Sequence, residues 1–299
     1  MSTSTMNTMD CSPSVTFDSN VIEVVLDDEK RIGDAAKRVF HALQSGIIKG
    51  FVARSYFAHD AIKRGGRINA LCGGIEFLIP SNPLLYQRGL GLRVVQTSTT
   101  ELNSYNEKTI NLMQALNMKV LEFRRALWPE VAIELPLMDP PVDYYTRIKV
   151  IREVIEDECH CGFYRFRQFL KQVVGNEDSD FSLLMQLKER EFSKAAFNVA
   201  FAEAADGDAL IAHYGYGIDY FCTNDEASKA GEQSVFSPLH RNVLHEKFNV
   251  KIVSLPQLAE IIKESKGGAH HGLGCLSKKC VGLSLLSLED GHVEAIVSP

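Results

Sequence analysis

A strand–helix–strand pattern near the N-terminus constrains the fold of this chain more than any other feature. Val15 to Asp18 (VTFD) has the pattern of a short buried strand that ends in an acid. Apolar residues then recur at helical spacing from Ile32 to Leu43, and Gly46 is a plausible helix stop before a second apolar stretch, Ile47 to Arg54 (IIKGFVAR). Two strands joined by a helix within ~40 residues form a βαβ unit, which implies a parallel sheet. We therefore expect an α/β fold.

The same pattern returns near the end of the chain. Asp208 to Tyr214 is predicted to open a helix, and Ile218 to Thr223 (IDYFCT) is predicted to be a strand that ends in Asn224-Asp225. Phe248 to Val253 (FNVKIV) is predicted as a further strand, followed by a closing helix from Leu255 to Ile262. These segments are expected to complete the parallel sheet.

The middle of the chain is predicted to be a large, mostly helical insertion. Helical patterns fall at about residues 106–128, 144–158, 162–174 and 181–204, and a hairpin is expected around Ile68 to Ile79. Such a stretch is too long for a connecting loop. The predicted domain therefore spans residues 15–265, with a core of 15–64 and 195–265 and an insertion at about 65–194.

The two ends are predicted to lie outside this domain. Residues 1–14 are polar and rich in Ser and Thr, which indicates a flexible tail without a signal peptide. Residues 266–299 begin with the linker Lys266-Gly267-Gly268, and Asp290-Gly291 between two apolar runs favours a C-terminal β-hairpin.

Charge and cysteine content narrow the class of protein. A net charge of −6 argues against a protein that coats nucleic acid non-specifically, although an acidic metal site contributes to that charge. No run approaches the ~20 apolar residues of a membrane helix. Seven cysteines without a secretory signal indicate reduced thiols and a cytoplasmic protein. The Cys159-His160-Cys161 run, even with His270, His271, Cys275 and Cys280, lacks the usual spacing of a zinc site.

Four aspartates are expected at one edge of the sheet. Asp18 and Asp225 close strands, and Asp208, for which Asp206 competes, is expected at the N-terminus of the helix before the second of these strands. Asp60 follows the second strand, beside His59, which is expected to be exposed. In open α/β sheets the ligand crevice lies outside the carboxyl ends of the strands. Clustered carboxylates repel one another, and a hard divalent cation removes that repulsion.

These motifs resemble those of the PIN domain family. Phe17 to Val21 (FDSNV) is similar to the family's opening strand, Asp and following Asn. Asp208 to Ala212 (DALIA) and Thr223 to Asp225 (TND) resemble its Asp-led helix and Thr-x-Asp strand end. Phe248 to Leu258 resembles its last strand and helix. The likeness covers roughly residues 15–64 and 195–263.

The resemblance implies a PIN-like three-layer fold with a central parallel sheet, interrupted by the insertion. It further implies a ribonuclease that uses Mg²⁺ or Mn²⁺ to hydrolyse single-stranded or structured RNA, leaving 5′-phosphate and 3′-hydroxyl ends. Asp18, Asp208 and Asp225 match the family's metal ligands, and Asp60 stands where Glu is common. Thr223 and Asn224 fit roles in orienting the last carboxylate, and Asn20 matches the opening motif. An inhibitory protein partner or a homodimer is a further expectation, and a membrane is not.

Two other functions stay open at this point. A degenerate PIN-like module would bind RNA or protein without cleaving, having lost part of its metal site. A phosphatase of the haloacid dehalogenase type also begins with a strand-end Asp, but it usually needs a second Asp two residues later, where this chain has Asn20.

Overall fold

The structure is a computed structural model that describes residues 12–60, 62, 66–72, 75–78, 93–96, 104–123, 125, 128, 135–175, 179–187, 189–227 and 231–267. The strands are β1 (Ser14–Phe17), β2 (Lys49–Ala53), β3 (Ile75–Leu78), β4 (Arg93–Gln96), β5 (Lys119–Leu121), β6 (Tyr220–Cys222) and β7 (Ile252–Val253). The α-helices are α1 (Ser19–Leu26), α2 (Asp34–Gln44), α3 (Arg67–Cys72), α4 (Ser104–Ala115), α5 (Tyr144–Glu153), α6 (Phe163–Val174), α7 (Asp180–Leu187), α8 (Lys194–Tyr216), α9 (Pro238–Phe248) and α10 (Leu255–Gly267). Single π-helical turns lie at Tyr56–Asp60 and Val154–Glu158.

A parallel sheet of five strands, in the order β5-β2-β1-β6-β7, occupies the centre of the fold. The α/β expectation is therefore confirmed. From β1 the chain builds outward through β2 to β5, then returns to the other side of β1 and continues through β6 to β7. The direction of winding thus reverses between β1 and β6, which is where an open parallel sheet leaves a crevice at its carboxyl edge.

Both faces of the sheet are covered by helices. Alternate residues of each strand point to opposite faces, so each strand contributes side chains to both cores. On one face, Phe17, Val52 and Val120 belong to a core shared with α1, α2, α4 and α10. On the other face, Phe51 and Phe221 belong to a core shared with α5, α8 and α9. Burial on both sides explains why the central strands are nearly continuous apolar runs.

Helix α8 joins this sheet to a second helical core. Its C-terminal half packs on the sheet through residues that include Leu210 and Ile211. Its N-terminal half contributes Phe197 and Phe201 to a hydrophobic cluster with residues of α6 and α7. Helix α8 therefore belongs both to the sheet core and to the hydrophobic cluster formed with α6 and α7.

The predicted insertion at 65–194 is not wholly separate from the sheet. It contains β5, which pairs in parallel with β2 and forms an edge of the central sheet. The sequence 106–128 reads as one helix, but α4 ends at Ala115 and Asn117 takes a left-handed conformation with φ 52°. Such a residue typically terminates a helix. The three-residue strand that follows is too short to show strand periodicity.

Other boundaries also differ from the sequence prediction. The hairpin expected around Ile68 to Ile79 is instead the helix α3 followed by β3, which pairs antiparallel with β4. Of the strand expected from Phe248 to Val253, only β7 is formed. Helix α9 continues to Phe248, and Asn249 ends that helix in a left-handed conformation with φ 53°. Ser237 caps α9 and Pro238 occupies its first turn, a start signal that the sequence prediction passed over.

The chain divides into two units, Met1–Ile262 and Lys263–Pro299. The predicted C-terminal hairpin and most of the predicted N-terminal tail lie outside the described residues, although Ser14 already belongs to β1. In the described ranges, no helix combines the length and the apolar character needed to cross a membrane.

Candidate functional site

Asp18 lies directly after β1 and begins α1. Its Oδ1 accepts a 2.7 Å hydrogen bond from the backbone N–H of Ser19, which makes Asp18 the N-cap of that helix. Its Oδ2 accepts 2.6 Å hydrogen bonds from the Asn20 side-chain amide and from the Thr223 hydroxyl. The residue is 8% exposed, and these donors fix the orientation of its carboxylate.

The end of β6 is tied to Asp18 by the same side chains. Asn20 accepts a 3.0 Å hydrogen bond from the backbone N–H of Asn224, while its amide also lies 3.3 Å from the Thr223 hydroxyl oxygen. Asn224 in turn accepts from the N–H of Leu255 at the start of α10. The carboxyl ends of β1 and β6 are thus locked together by side chains.

Asp225 follows two residues behind Thr223, at the same edge of the sheet. Its backbone N–H donates to the Thr223 hydroxyl at 3.0 Å, and its Oδ1 accepts from the N–H of Ala227 at 2.7 Å. Thr223 was expected to orient the Asp225 carboxylate, but its hydroxyl contacts the backbone of Asp225 and the carboxylate of Asp18 instead. Arg241 also donates to the Asp225 carbonyl.

Asp208 lies inside α8, and the prediction that it begins a helix is wrong. The helix starts at Lys194, where the Ser193 hydroxyl accepts from the N–H of Ala196. Asp208 is 1% exposed, and its carboxylate is bound by Arg125 and by the indole N–H of Trp128 rather than by backbone N–H groups. Asp206, its competitor in the sequence, is half-buried on the same helix.

Arg125 forms ion pairs with two buried acids, Asp208 and Glu156. Its guanidinium contacts Asp208 at 2.6 Å and Glu156 at 2.5 Å, and its Cζ lies 4.2 Å above the centre of the Phe163 ring. Burial alone would lower the pKa of Arg125, but the two carboxylates outweigh it and raise the pKa. Burial also raises the pKa of Glu156, against the attraction of Arg125.

His59 is fully buried, which corrects the expectation of an exposed helix residue. Its ring contacts Trp128 and Phe201, with centroid distances of 4.3 and 4.1 Å, and neither ring nitrogen has a hydrogen-bond partner among the described residues. Burial, and then the nearby cations Arg67 and Arg125, lower its pKa well below the usual value. Asp60 follows as the last residue of the π-helical turn, and its side chain lies outside the described residues.

Glu203 is a buried acid that sequence reasoning missed. Its Oε1 accepts from the backbone N–H groups of Val235 at 2.6 Å and Gly162 at 3.4 Å, so it ties α8 to two loops. Burial raises its pKa, and Asp225 nearby raises it further. The available signal was an acid within the apolar segment 195–205 of α8. Arg125, Glu156 and Trp128 were also missed. The signal for Arg125 and Trp128 was the chain's one tryptophan shortly after an Arg-Arg pair.

The three predicted metal ligands whose side chains are described, Asp18, Asp208 and Asp225, do not form one cluster. Among the residues that the structure describes, no three of the His, Cys, Asp and Glu side chains are close enough together to hold a metal ion. The donors described above for Asp18, which are the Ser19 N–H, the Asn20 amide and the Thr223 hydroxyl, are uncharged, and Mg²⁺ usually keeps several of its water molecules when it binds a carboxylate. Asp208 does not fit the metal here, because Arg125 and Trp128 already bind its carboxylate.

Cys161 Sγ lies 3.1 Å from His240 Nδ1, and burial raises the pKa of this thiol to about 12. Among the described residues, this pair has no third His, Cys, Asp or Glu close enough to complete a metal site. His270, His271, Cys275 and Cys280 lie outside the described residues.

Comparison of the chain with models of protein families, with curated proteins and with solved structures finds no match.

Proposed function

We propose that this chain is a metal-dependent endoribonuclease whose active site is the crevice between the carboxyl ends of β1 and β6. One observation carries the proposal: Asp18 and Thr223, which end neighbouring strands at the point where the sheet reverses its direction of winding, share a 2.6 Å hydrogen bond. The motifs FDSNV and TND, which resemble those of PIN domains, thereby meet at one place. The PIN-like version of the α/β fold is part of this proposal.

In this proposal the acids of the crevice bind the metal, and the neighbouring polar side chains orient those acids. Asp18 offers the carboxylate, and the Asn20 amide and the Thr223 hydroxyl hold its Oδ2 in a single orientation. Asp225 adds a second negative charge at the same edge, beside the backbone of Thr223. Asn224 fixes Asn20, and through it the position of Asp18. Outer hydrogen bonds of this kind set the orientation of metal-binding carboxylates.

A bound Mg²⁺ or Mn²⁺ would supply the Lewis acid that phosphodiester hydrolysis needs. The proposed substrate is single-stranded or structured RNA, and the proposed products carry 5′-phosphate and 3′-hydroxyl ends. Of the acids expected from the sequence, Asp225 and Asp60 stay in this proposal with Asp18, whereas Arg125 and Trp128 bind Asp208. A cytoplasmic location and an inhibitory partner or homodimer belong to the same proposal.

The direct test is an RNA cleavage assay with Mn²⁺ on the full chain and on Asp18→Asn, which keeps the shape of the side chain and removes its charge. We expect the variant to lose more than about 100-fold in rate, beyond the 10–100-fold typical of outer hydrogen-bond partners. Asp219→Asn is the matched control, because Asp219 is an exposed acid just before β6, at the opposite edge of the sheet. Equal rates for the wild type and Asp18→Asn would overturn the proposal.

A binding module without cleavage is the second candidate, and the Arg125–Asp208 ion pair favours it. An arginine that permanently replaces a metal at Asp208 would leave the crevice able to bind and unable to cut. This candidate predicts RNA binding by the wild type and no Mn²⁺-dependent cleavage at any metal concentration.

A further inference from the structure

A cavity of about 640 Å³ lies at the amino edge of the sheet, where β2 and β5 begin. The ends of α2 and α4, with the turns that follow them, also line it. Pockets that hold small organic ligands have volumes of roughly 300–1,000 Å³. Asp18 follows the last residue of β1, at the carboxyl edge of the same parallel sheet. The cavity is therefore separate from the proposed active site.

Much of the lining of this cavity is apolar. The larger apolar side chains that line it are Leu43, Ile48, Phe51, Leu116 and Met138. Leu43 and Ile48 belong to the core on one face of the sheet, whereas Phe51 belongs to the core on the other face. A ligand with an apolar body would therefore gain free energy by leaving water for this site.

The charged side chains of the cavity are all positive. Lys49 and Lys119 line it, and no Asp or Glu is among the described residues that do so. Lys119 lies opposite Phe51 in the parallel register, and Lys49 precedes Phe51 by two positions, so the three side chains are on one face of the sheet. Both lysines are exposed, in a chain whose net charge is −6. The cavity thus favours an anionic group.

The two nearby helix ends do not account for this pair of lysines. Cations often stabilise the unpaired carbonyl groups at the C-terminus of a helix. Here the backbone N–H groups of residues 45–47 donate to carbonyls in the last turn of α2, and those of residues 116–118 do the same for α4. These carbonyls already have partners and do not require Lys49 or Lys119.

We propose that this cavity binds a small organic anion with an apolar body. Lys49 and Lys119 bind the charged group, and the apolar body packs against Phe51 and Met138. An uncharged apolar molecule lacks the first of these contacts, and a bare inorganic anion lacks the second. The site is independent of the proposed metal-dependent activity.

Anilinonaphthalene sulfonate is a suitable probe, because it carries an anionic group on an aromatic body and its emission rises in apolar surroundings. Phenylnaphthylamine has the same rings without the sulfonate and serves as its uncharged counterpart. The full-length protein is titrated with each dye. We expect saturable binding of both dyes, with the sulfonate bound more tightly.

Lys119→Gln tests the contribution of charge. We expect this variant to bind the sulfonate about five-fold more weakly, the upper range for an exposed charge pair, and to bind phenylnaphthylamine as the wild type does. Lys194→Gln is the matched control, because Lys194 is an exposed lysine at the start of α8 that does not line the cavity. It should leave both affinities unchanged.

Ala115→Trp tests the location of the site. Ala115 is the last residue of α4, is exposed and lines the cavity, so a larger side chain there occupies ligand space without changing a charge. We expect both dyes to bind about ten-fold more weakly, a change of ~1.4 kcal/mol. Ala115→Ser leaves the space open and should retain both affinities.

Competition with the bound sulfonate dye identifies the class of anion. Displacement by decanoate indicates an aliphatic carboxylate, and displacement by naphthyl phosphate indicates an aromatic phosphate ester; either result supports the proposal. Displacement by inorganic phosphate alone would reject the requirement for an apolar body.

Other results would also overturn the inference: no saturable binding of the sulfonate, equal sulfonate affinity in the wild type and Lys119→Gln, an equal loss in Lys194→Gln, or unchanged binding of both dyes by Ala115→Trp. An equal loss for both dyes in Lys119→Gln would reject an anionic ligand. RNA cleavage should be the same in Lys119→Gln and the wild type, so the proposed function and this site can fail separately.

Discussion

The hydroxyl of Thr223 donates a 2.6 Å hydrogen bond to Oδ2 of Asp18, although the two residues are 205 positions apart in the chain. The parallel pairing of β1 with β6 makes this contact possible, since Phe17 lies opposite Cys222 and the two strands end together. Thr223 is 1% exposed and also accepts from the N–H of Asp225. A single side chain therefore connects both acids of the proposed crevice.

Replacement of Thr223 by Val should separate its polar role from its shape. We expect cleavage to fall by about 10–100-fold, the usual effect of losing an outer hydrogen-bond partner, and unfolding free energy to fall by ~1–3 kcal/mol because buried groups lose their partners. Thr223→Ser keeps the hydroxyl and should retain most of the activity. Full activity in Thr223→Val with a loss in Thr223→Ser would mean that the methyl group, and not the hydroxyl, matters.

The buried His213 should make the stability of the protein fall in acid. Its Nδ1 lies 2.9 Å from the Thr16 hydroxyl, and burial lowers its pKa to about 3, with Arg147 also lowering it and Asp219 opposing. The folded chain thus keeps His213 neutral, while the unfolded chain protonates it below about pH 6.5. Its contribution is complete above that pH and is lost as the pH falls from about 6.5 towards 3.

Urea unfolding between pH 4.5 and 7.5 tests this dependence. We expect His213→Gln to remove up to ~1.4 kcal/mol per pH unit from the slope of unfolding free energy at the acid end of this range. The exposed His245, replaced by Gln, serves as the control and should leave the slope as in the wild type. An unchanged slope in His213→Gln would show that His213 is not kept neutral by the fold.

Gly207 allows α8 to approach the loop before α6. A Cβ at this position would lie 2.7 Å from the Cα of Gly162, and backbone cannot yield as a side chain can. Although Ala favours helices over Gly by about 1 kcal/mol, we expect Gly207→Ala to destabilise the protein by ~1–3 kcal/mol through overpacking. At Gly215 on the same helix, the nearest atoms to an added Cβ belong to the side chains of Tyr144 and Ile148, at 3.0 Å, so Gly215→Ala should lower the unfolding free energy less in chemical denaturation.

The parts of the fold that could be predicted are those whose signals are local. The strand at Val15, the helix that includes Val39 and Leu43, and the strand before Thr223 each carry their own apolar pattern and boundary residues. Placement of Asp18 and Asp225 at one sheet edge followed from the rule that parallel strands share their carboxyl edge. The contact between Thr223 and Asp18 was not predicted, since it depends on which strands are neighbours.

The missed features depend on contacts between distant segments. Asp-Gly-Asp at 206–208 has the composition of a helix start, but Gly207 is needed for the approach to Gly162, and Arg125 satisfies the charge of Asp208. Nothing near residue 208 in sequence reveals either partner. His59 was expected to be exposed for the same reason, because the aromatic rings that bury it come from Trp128 and Phe201.

A crystal of the full chain soaked in Mn²⁺, with anomalous diffraction recorded at the manganese edge, tests the central proposal most directly. We predict an anomalous peak within coordination distance of the Asp18 carboxylate, in the crevice between β1 and β6. Density confined to other acids, or no peak near Asp18 at a Mn²⁺ concentration that supports cleavage, would contradict the proposal that this crevice is a metal-dependent active site.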